Sequence, residues 1–265
     1  MIDWLLNRPP IWMALIIFTA TYLCAAVIFA VITGLARGER ARAFKGLSPG
    51  MLPPLGIIFG LLVGFIAAQV WTDFEKAKIA VVNEASALRA VILLAGSFPA
   101  EQEARLRAFV DQHIDTAVNQ EWPEMARQKL SLASVPVHLL DALTATLALS
   151  PSNDGQKLAQ SAIVTNLEKA LDARRQRIIT SRSSVSRIKW SGLLLQALCT
   201  LVAIAMVHSD NRATCAIALT LFATGVAMSI LLVGCYSRPF TGEISVGHEL
   251  LDQVMTTVRS AAPSP

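Results

Sequence analysis

The residues best spaced for chemistry lie in "DQHID", where Asp111, His113 and Asp115 alternate with Gln112 and Ile114. Carboxylates around an imidazole are the donor types of a metal site. On a helix, however, residues two apart point about 200° away from each other, so His113 shares a face with neither aspartate. Asp111 and Asp115 do share one, and a solvated helix surface is the expectation. Glu84 sits in an apolar turn of "VVNEASALR". A carboxylate there needs a partner, either Arg89 or a neighbouring chain, and a structural ion pair is the expected role. Glu121, ahead of Trp122 and Pro123, reads as the acidic first turn of a helix. His138, His208 and His248 are isolated. Cys24, Cys199, Cys215 and Cys235 all fall in apolar runs without CxxC spacing, which suits packing better than a disulfide or zinc site. With no phosphate-binding glycine loop, nucleophile elbow or metal-ligand helix, the sequence predicts no enzyme, no cofactor and no metal.

Two stripes on the second apolar run remain to be explained. In "GIIFGLLVGF", Gly56, Gly60 and Gly64 recur every fourth residue, and Ile57, Leu61 and Phe65 follow one step later. On a helix these are adjacent stripes, one of bare backbone and one of bulky apolar side chains. The glycine stripe is a close-packing ridge, against span one or four of the same chain or against another subunit. The bulky stripe continues through Ala68, Thr72, Glu75 or Lys76, Ile79, Asn83 and Ser86, so it turns polar. Lipid contact would explain only its first half. A pore wall explains both, with apolar rings gating by dewetting and polar positions beyond them holding hydrated ions.

The elements that must carry these stripes follow from composition. Of 265 residues, 54% are hydrophobic and 16% charged, too apolar for an ordinary soluble domain. The predicted fold is all-α and multi-pass, with spans at Ile11–Gly34, Leu52–Trp71, Trp190–His208 and Ala213–Tyr236. The first reads as a retained span, not a signal peptide. The chain thus divides into an N-terminal transmembrane pair (1–71), a helical domain (72–189), a C-terminal transmembrane hairpin (190–236) closed by "SDNR", and a tail (237–265).

Within the middle region, span two is expected to run on as one helix to Gly96. Ser97 is a candidate N-cap for the next helix, Pro123 restarts another, and a further one begins after Ser134. "SPSNDG" is a loop. The charged helix from about Gln156 is expected to continue into span three. Eleven lysines and arginines near span ends on the side of the helical domain, against five on the other, put that domain and both termini in the cytoplasm of a plasma-membrane protein. The net charge of +4, without a basic-aromatic patch, gives no reason to expect nucleic acid. "RRQRIITSRSSVSRIK" can hold anionic lipid headgroups or simply fix topology.

Two segments resemble a known family. "PLGIIFGLLVGFIAAQVWTDFEKA" (Pro54 to Ala77) is similar to the second transmembrane helix of the bestrophin channels. There Ile57, Leu61 and the Gly64-Phe65 pair take the positions of the hydrophobic neck, whereas Asp73, Phe74 and Glu75 stand where Arg-Trp-Trp is usual. "SRPFTGEISVGHELLDQV" (Ser237 to Val254) resembles the Asn-Pro-Phe-Gly segment after the last span, through Arg238, Pro239, Phe240 and Gly242, with Thr241 as an extra residue. Animal members continue with a calcium-binding run of carboxylates, of which Glu243 alone remains, so calcium gating does not carry over. Taken whole, with "NEASALR", "EWPEMA" and "RPFTGEISV", the chain most resembles the bacterial bestrophin-like membrane proteins. The resemblance implies a homopentamer with one second helix from each subunit around the axis, apolar rings at Ile57, Leu61 and Phe65, and selectivity set partly by Thr72, Lys76 and Asn83. The alternative is a membrane-anchored sensor or scaffold that binds a partner through its helical domain and never conducts. Anion against cation stays open, because Glu75 and Lys76 flank the same stripe.

Overall fold

The computed structural model describes residues 9–36, 44, 49–242 and 244–260, which are almost wholly helical and contain no strand. They form two compact units. One holds the chain up to Thr72 together with Ser184–Ser237, and the other holds Asp73–Ser183 together with the segment from Arg238 onward.

The first unit contains the four apolar helices. Helix α1 (Pro10–Leu35) starts with proline in its first turn, where no N–H is needed. Helix α2 begins at Leu52 and runs without interruption to Ala95; at 1.5 Å per residue it is about 66 Å long. Helices α7 (Arg187–Val207) and α8 (Arg212–Tyr236) form the expected hairpin, its turn closed by the Asn211 side chain, which accepts from the backbone N–H groups of Ala213 and Thr214. All four helices are long and apolar enough to cross a membrane.

Their packing is apolar. Ala25, Ile28 and Ile32 of α1 meet Leu201, Ile204, Leu219 and Ala223. Phe59, Ile66 and Val70 of α2 meet Trp190, Leu193, Val226 and Val233. Two polar links join helices: Tyr22 with Thr224 at 2.9 Å, and Gln196 Nε2 donating to the Leu55 carbonyl at 3.2 Å. Leu23, Leu195 and Leu221 point outward, a burden in water and a gain in lipid.

The second unit is built on the rest of α2, with α3 (Ala100–Thr116), a π-helical turn (Ala117–Glu121), α4 (Trp122–Ala126), α5 (Val137–Leu147), α6 (Asp154–Ser181) and α9 (Glu249–Ser260). One core unites Val81, Leu88 and Ile92 of α2 with Leu106, Val110 and Ile114 of α3, Leu139 of α5, Ile163 and Leu167 of α6, and Phe240 and Leu251 of the tail.

Three boundaries differ from the sequence expectation. The charged helix does not continue into span three: α6 ends at Ser181, and the chain is non-helical until Ser186 caps α7 through Lys189 N–H. Serine hydroxyls at 183, 184 and 186 compete for backbone partners and favour such a break, while Val185 is buried in the first unit's core. The residue preceding α3 is Pro99, not Ser97. The helix expected to restart at Pro123 does begin there, as α4 with the proline in its first turn, but no loop precedes it. The chain passes from α3 through the π turn into α4, with Trp122 N–H reaching back to Ala117 O. A widened turn accommodates the proline ring and its missing donor. Helix α4 then ends in a Schellman arrangement, Gln128 N–H to Met125 O and Lys129 N–H to Glu124 O, with Gln128 left-handed at φ 57°.

Candidate functional site

Along α2 the pattern of exposure follows the stripe. Ile57, Leu61 and Phe65 are 62%, 55% and 72% exposed, and Ala68, Thr72, Lys76, Ile79, Asn83 and Ser86 are exposed as well. The buried side of the helix carries Phe59, Ile66, Val70, Ala77, Val81, Glu84, Leu88 and Val91. The two series stay apart because both step by three and four residues. Lys76 belongs to the outward stripe, whereas Glu75 is half-buried on its flank. Thr72 donates its hydroxyl to Ala68 O at 2.8 Å. A Cβ added at Gly56, Gly60 or Gly64 would meet nothing within 4 Å. Among the described residues, the glycine ridge therefore packs against neither span one nor span four.

The second unit holds a different arrangement, a buried ion network. Arg177, on α6, is fully buried and donates to Glu84 through Nε at 2.8 Å and Nη2 at 3.0 Å. Its Nη2 also donates to Glu121 Oε2 at 2.9 Å. Arg174, one turn earlier, donates to Glu121 Oε1 from Nε at 2.8 Å and to Ser134 O from Nη2 at 3.2 Å. His113 Nε2 lies 2.9 Å from Glu84 Oε1. Trp122 covers the Arg177 guanidinium, 4.6 Å from ring centroid to carbon, a cation–π contact strengthened by the absence of water. Burial alone would raise the Glu84 carboxyl, but Arg177 and His113 outweigh it and hold it down at about 2. The guanidinium of Arg177 stays charged for the converse reason: burial lowers it, and the two carboxylates more than restore it. Within the network two carboxylates face two guanidiniums.

The segment after α8 docks beside this network. Phe240 is buried with its ring edge-on to Trp122 at 5.7 Å and 84°, and Trp122 Nε1 donates to Val246 O at 3.2 Å. Thr241 donates to Ala126 O at 2.8 Å. Arg238 and Pro239 are buried. Gly242 turns the chain at φ 90°, a conformation that disfavours any side chain. Glu243 lies outside the described residues.

A model of the bestrophin-like domain matches residues 9–251. The chain belongs to the bestrophin-like family. Solved structures agree on the fold. A point variant of a bacterial bestrophin homologue from Klebsiella pneumoniae is similar with a TM-score of 0.70 at 12% identity, covering 95% of this chain and 99% of that one. A second variant of a bestrophin homologue from that organism gives 0.71 at 13% over 93% and 99%, and a structure of the homologue solved by zinc phasing gives 0.68 at 13% over 93% and 97%. No curated protein matches the sequence.

In this bestrophin-like chain several sequence expectations need correction. Glu84 does pair, but with Arg177 and His113 instead of Arg89. Five residues on, Arg89 is turned about 140° around the helix and is exposed. Glu121 is not the open first turn of a helix, because the π turn directs it into the core. His113, which shares a face with neither Asp111 nor Asp115, is 3% exposed. Asp115 does face solvent, accepting from Asn119, whereas Asp111 is half-buried. His208 bonds Ile204 O at the end of α7, and His248 pairs with Asp252 at 2.6 Å. Among the described residues no group of three or more His, Cys, Asp or Glu side chains is placed to hold a metal. The cysteines are free, Cys215 buried and Cys199 facing outward.

Arg174 and Arg177 escaped the sequence reading because they lie in a basic run. A signal existed nonetheless. Ala159, Ile163, Leu167, Ala170, Arg174, Arg177 and Ser181 form one buried stripe of α6, and two arginines on an otherwise apolar stripe call for buried carboxylates.

Proposed function

We propose that this protein is an ion channel of the inner membrane, formed by five copies around one axis, with its neck on the second transmembrane helix. The observation that carries the reading is the outward stripe of α2. Ile57, Leu61, Phe65, Ala68, Thr72, Lys76, Ile79, Asn83 and Ser86 on that line are exposed on the isolated chain, beside a glycine ridge where, among the described residues, nothing lies within 4 Å of an added Cβ. In an assembly the ridges of Gly56, Gly60 and Gly64 let neighbouring helices approach closely. Ile57, Leu61 and Phe65 then stack as apolar rings that resist wetting, and Thr72, Lys76 and Asn83 line the wider, hydrated continuation. Lys76, more than Glu75, faces that path, which favours anions. The channel carries inorganic ions passively, needs no cofactor and catalyses no reaction. Its helical domain and both termini face the cytoplasm.

The fold likeness to bacterial bestrophin homologues supports this reading over that of a non-conducting scaffold. The test is ion flux into liposomes holding purified protein, wild type beside a Leu61→Ala/Phe65→Ala double variant, in chloride and in gluconate. Smaller rings lower the dewetting barrier, and each 1.4 kcal/mol removed gives about tenfold more flux. A folded double variant as tight as wild type would reject the neck, and a monomeric or dimeric mass in detergent would reject the axial pore.

A further inference from the structure

The basic run "RRQRIITSRSSVSRIK" admits two readings from sequence, and the fold separates its cations. Arg174 and Arg177 are buried in the ion network. Arg175 and Arg182 are exposed on the second unit. Arg187 and Lys189 belong to the first unit, exposed in the opening turn of α7. Three observations at that turn point to one partner.

The first is charge. Among the described residues neither Arg187 nor Lys189 takes part in an ion pair. Lys189 donates to the neutral side-chain carbonyl of Gln69 on α2, which leaves its charge uncompensated. The one carboxylate among the first unit's described residues, Asp210, lies past the far end of α7, about 30 Å along the helix.

The second is depth. Val70 of α2, Trp190 of α7 and Val233 of α8 pack together at this end of the unit. Beside them the Trp71 and Tyr236 rings meet at 5.4 Å, and Trp71 is 54% exposed. Tryptophan and tyrosine at the ends of apolar spans mark the headgroup level of a bilayer. Arg187 and Lys189 therefore stand at the height of lipid phosphates.

The third is shape. Between the two cations stands Ile188, 84% exposed, an exposure that is costly in water and nearly free in lipid. Four and seven residues on, the same face of α7 carries Gly192 and Leu195, within about 40° of one line. A Cβ added at Gly192 would meet nothing within 4 Å, and Leu195 is exposed. Ile188 and Leu195 thus border a bare stretch of backbone, a shallow groove in which a hydrocarbon chain can lie.

We infer that this face binds an anionic phospholipid, its phosphate held between Arg187 and Lys189 and one acyl chain laid over Gly192 between Ile188 and Leu195. A zwitterionic lipid fills the groove but brings its own cation to the phosphate. A free phosphate matches the charges and leaves the groove empty. The surface requires that the spans lie in a bilayer, and it is independent of ion conduction.

The test is native mass spectrometry of the full-length protein released from detergent. It is titrated with dioleoyl phosphatidylglycerol, with dioleoyl phosphatidylcholine, and with glycerol 3-phosphate as the headgroup chemistry without chains. The expected result is saturable binding of phosphatidylglycerol, about tenfold or more tighter than that of phosphatidylcholine, and no binding of glycerol 3-phosphate. Arg187→Gln/Lys189→Gln should abolish the preference between the lipids. Gly192→Leu, which fills the groove and keeps both charges, should weaken both lipids. Arg175→Gln, an exposed cation of the second unit, should keep the wild-type preference. All these positions are exposed, and circular dichroism verifies that each variant is helical. Equal affinity for the two lipids, binding of glycerol 3-phosphate as tight as that of phosphatidylglycerol, an unchanged preference in the folded double variant, undiminished lipid binding in folded Gly192→Leu, or loss of preference in Arg175→Gln each overturns the proposal.

Discussion

The two parts of α2 use one helical period in opposite ways. Up to Thr72, both faces are apolar, and Ile57, Leu61 and Phe65 stay uncovered. From Asp73 onward, the outward face mixes Lys76, Asn83 and Ser86 with an exposed Ile79, and the inward face buries a carboxylate, Glu84, that nothing on its own helix neutralises. Exposing Leu or Phe is costly in water and nearly free in lipid, so exposure alone says little in the first part. Burying an unpaired Glu is costly anywhere. Hence the inward face of the second part dictates its partner, Arg177, 93 residues away.

The strongest way to break this contrast is to remove that partner. Arg177→Met leaves Glu84 buried without a guanidinium and Glu121 with only Arg174. Loss of one partner of a buried pair costs about 3–5 kcal/mol, a large part of an ordinary domain's stability. The expected outcome is a marked fall in the unfolding midpoint of purified protein, followed by circular dichroism. Glu84→Gln combined with Arg177→Met should recover part of the loss, since neither charge is then stranded. A single variant as stable as wild type would mean the network carries no structural weight.

Acid sharpens the same point. The Glu84 carboxyl is held at about 2 in the fold against 4.5 unperturbed, so the unfolded chain binds the extra proton. Stability from this group is therefore complete above about 4.5 and drains away as pH falls from there to about 2. Denaturant midpoints compared at pH 6 and pH 3 should show that loss, and Glu84→Gln should flatten the part due to this residue. An identical acid slope in the variant would assign acid sensitivity to other carboxylates.

This contrast also governs what the sequence could reveal. The four apolar helices, the long α2 and the hairpin of α7 and α8 were legible because run length and period are local quantities. The stripe from Ile57 to Ser86 was legible for the same reason. The network was not, since Glu84, His113, Glu121, Arg174 and Arg177 meet across tertiary distances that no spacing encodes. Glu84 announced that it lacked a partner, and its helix could not say which. The π turn was hidden too: Pro123 reads locally as a helix start, and only packing decides that Glu121 and Trp122 turn inward. The break at 182–186 hinged on weak serine preferences that the neighbouring charged and apolar periods obscured.

The smallest effect separates the two kinds of glycine. Gly242 sits at φ 90°, so Gly242→Ala should destabilise by about 1–2 kcal/mol through backbone strain alone. Gly60 is helical with open space where a Cβ would go, and alanine there should favour the helix by about 0.5–1 kcal/mol. On the isolated chain the same substitution thus has opposite signs at the two sites. If Gly60 is buried against a neighbouring copy, its added methyl meets another backbone, and Gly60→Ala should lower the mass of the assembly in detergent while the chain stays fully helical. Light scattering of the two variants beside their circular dichroism makes the comparison. An unchanged assembly with a steadier helix would show that the ridge faces lipid.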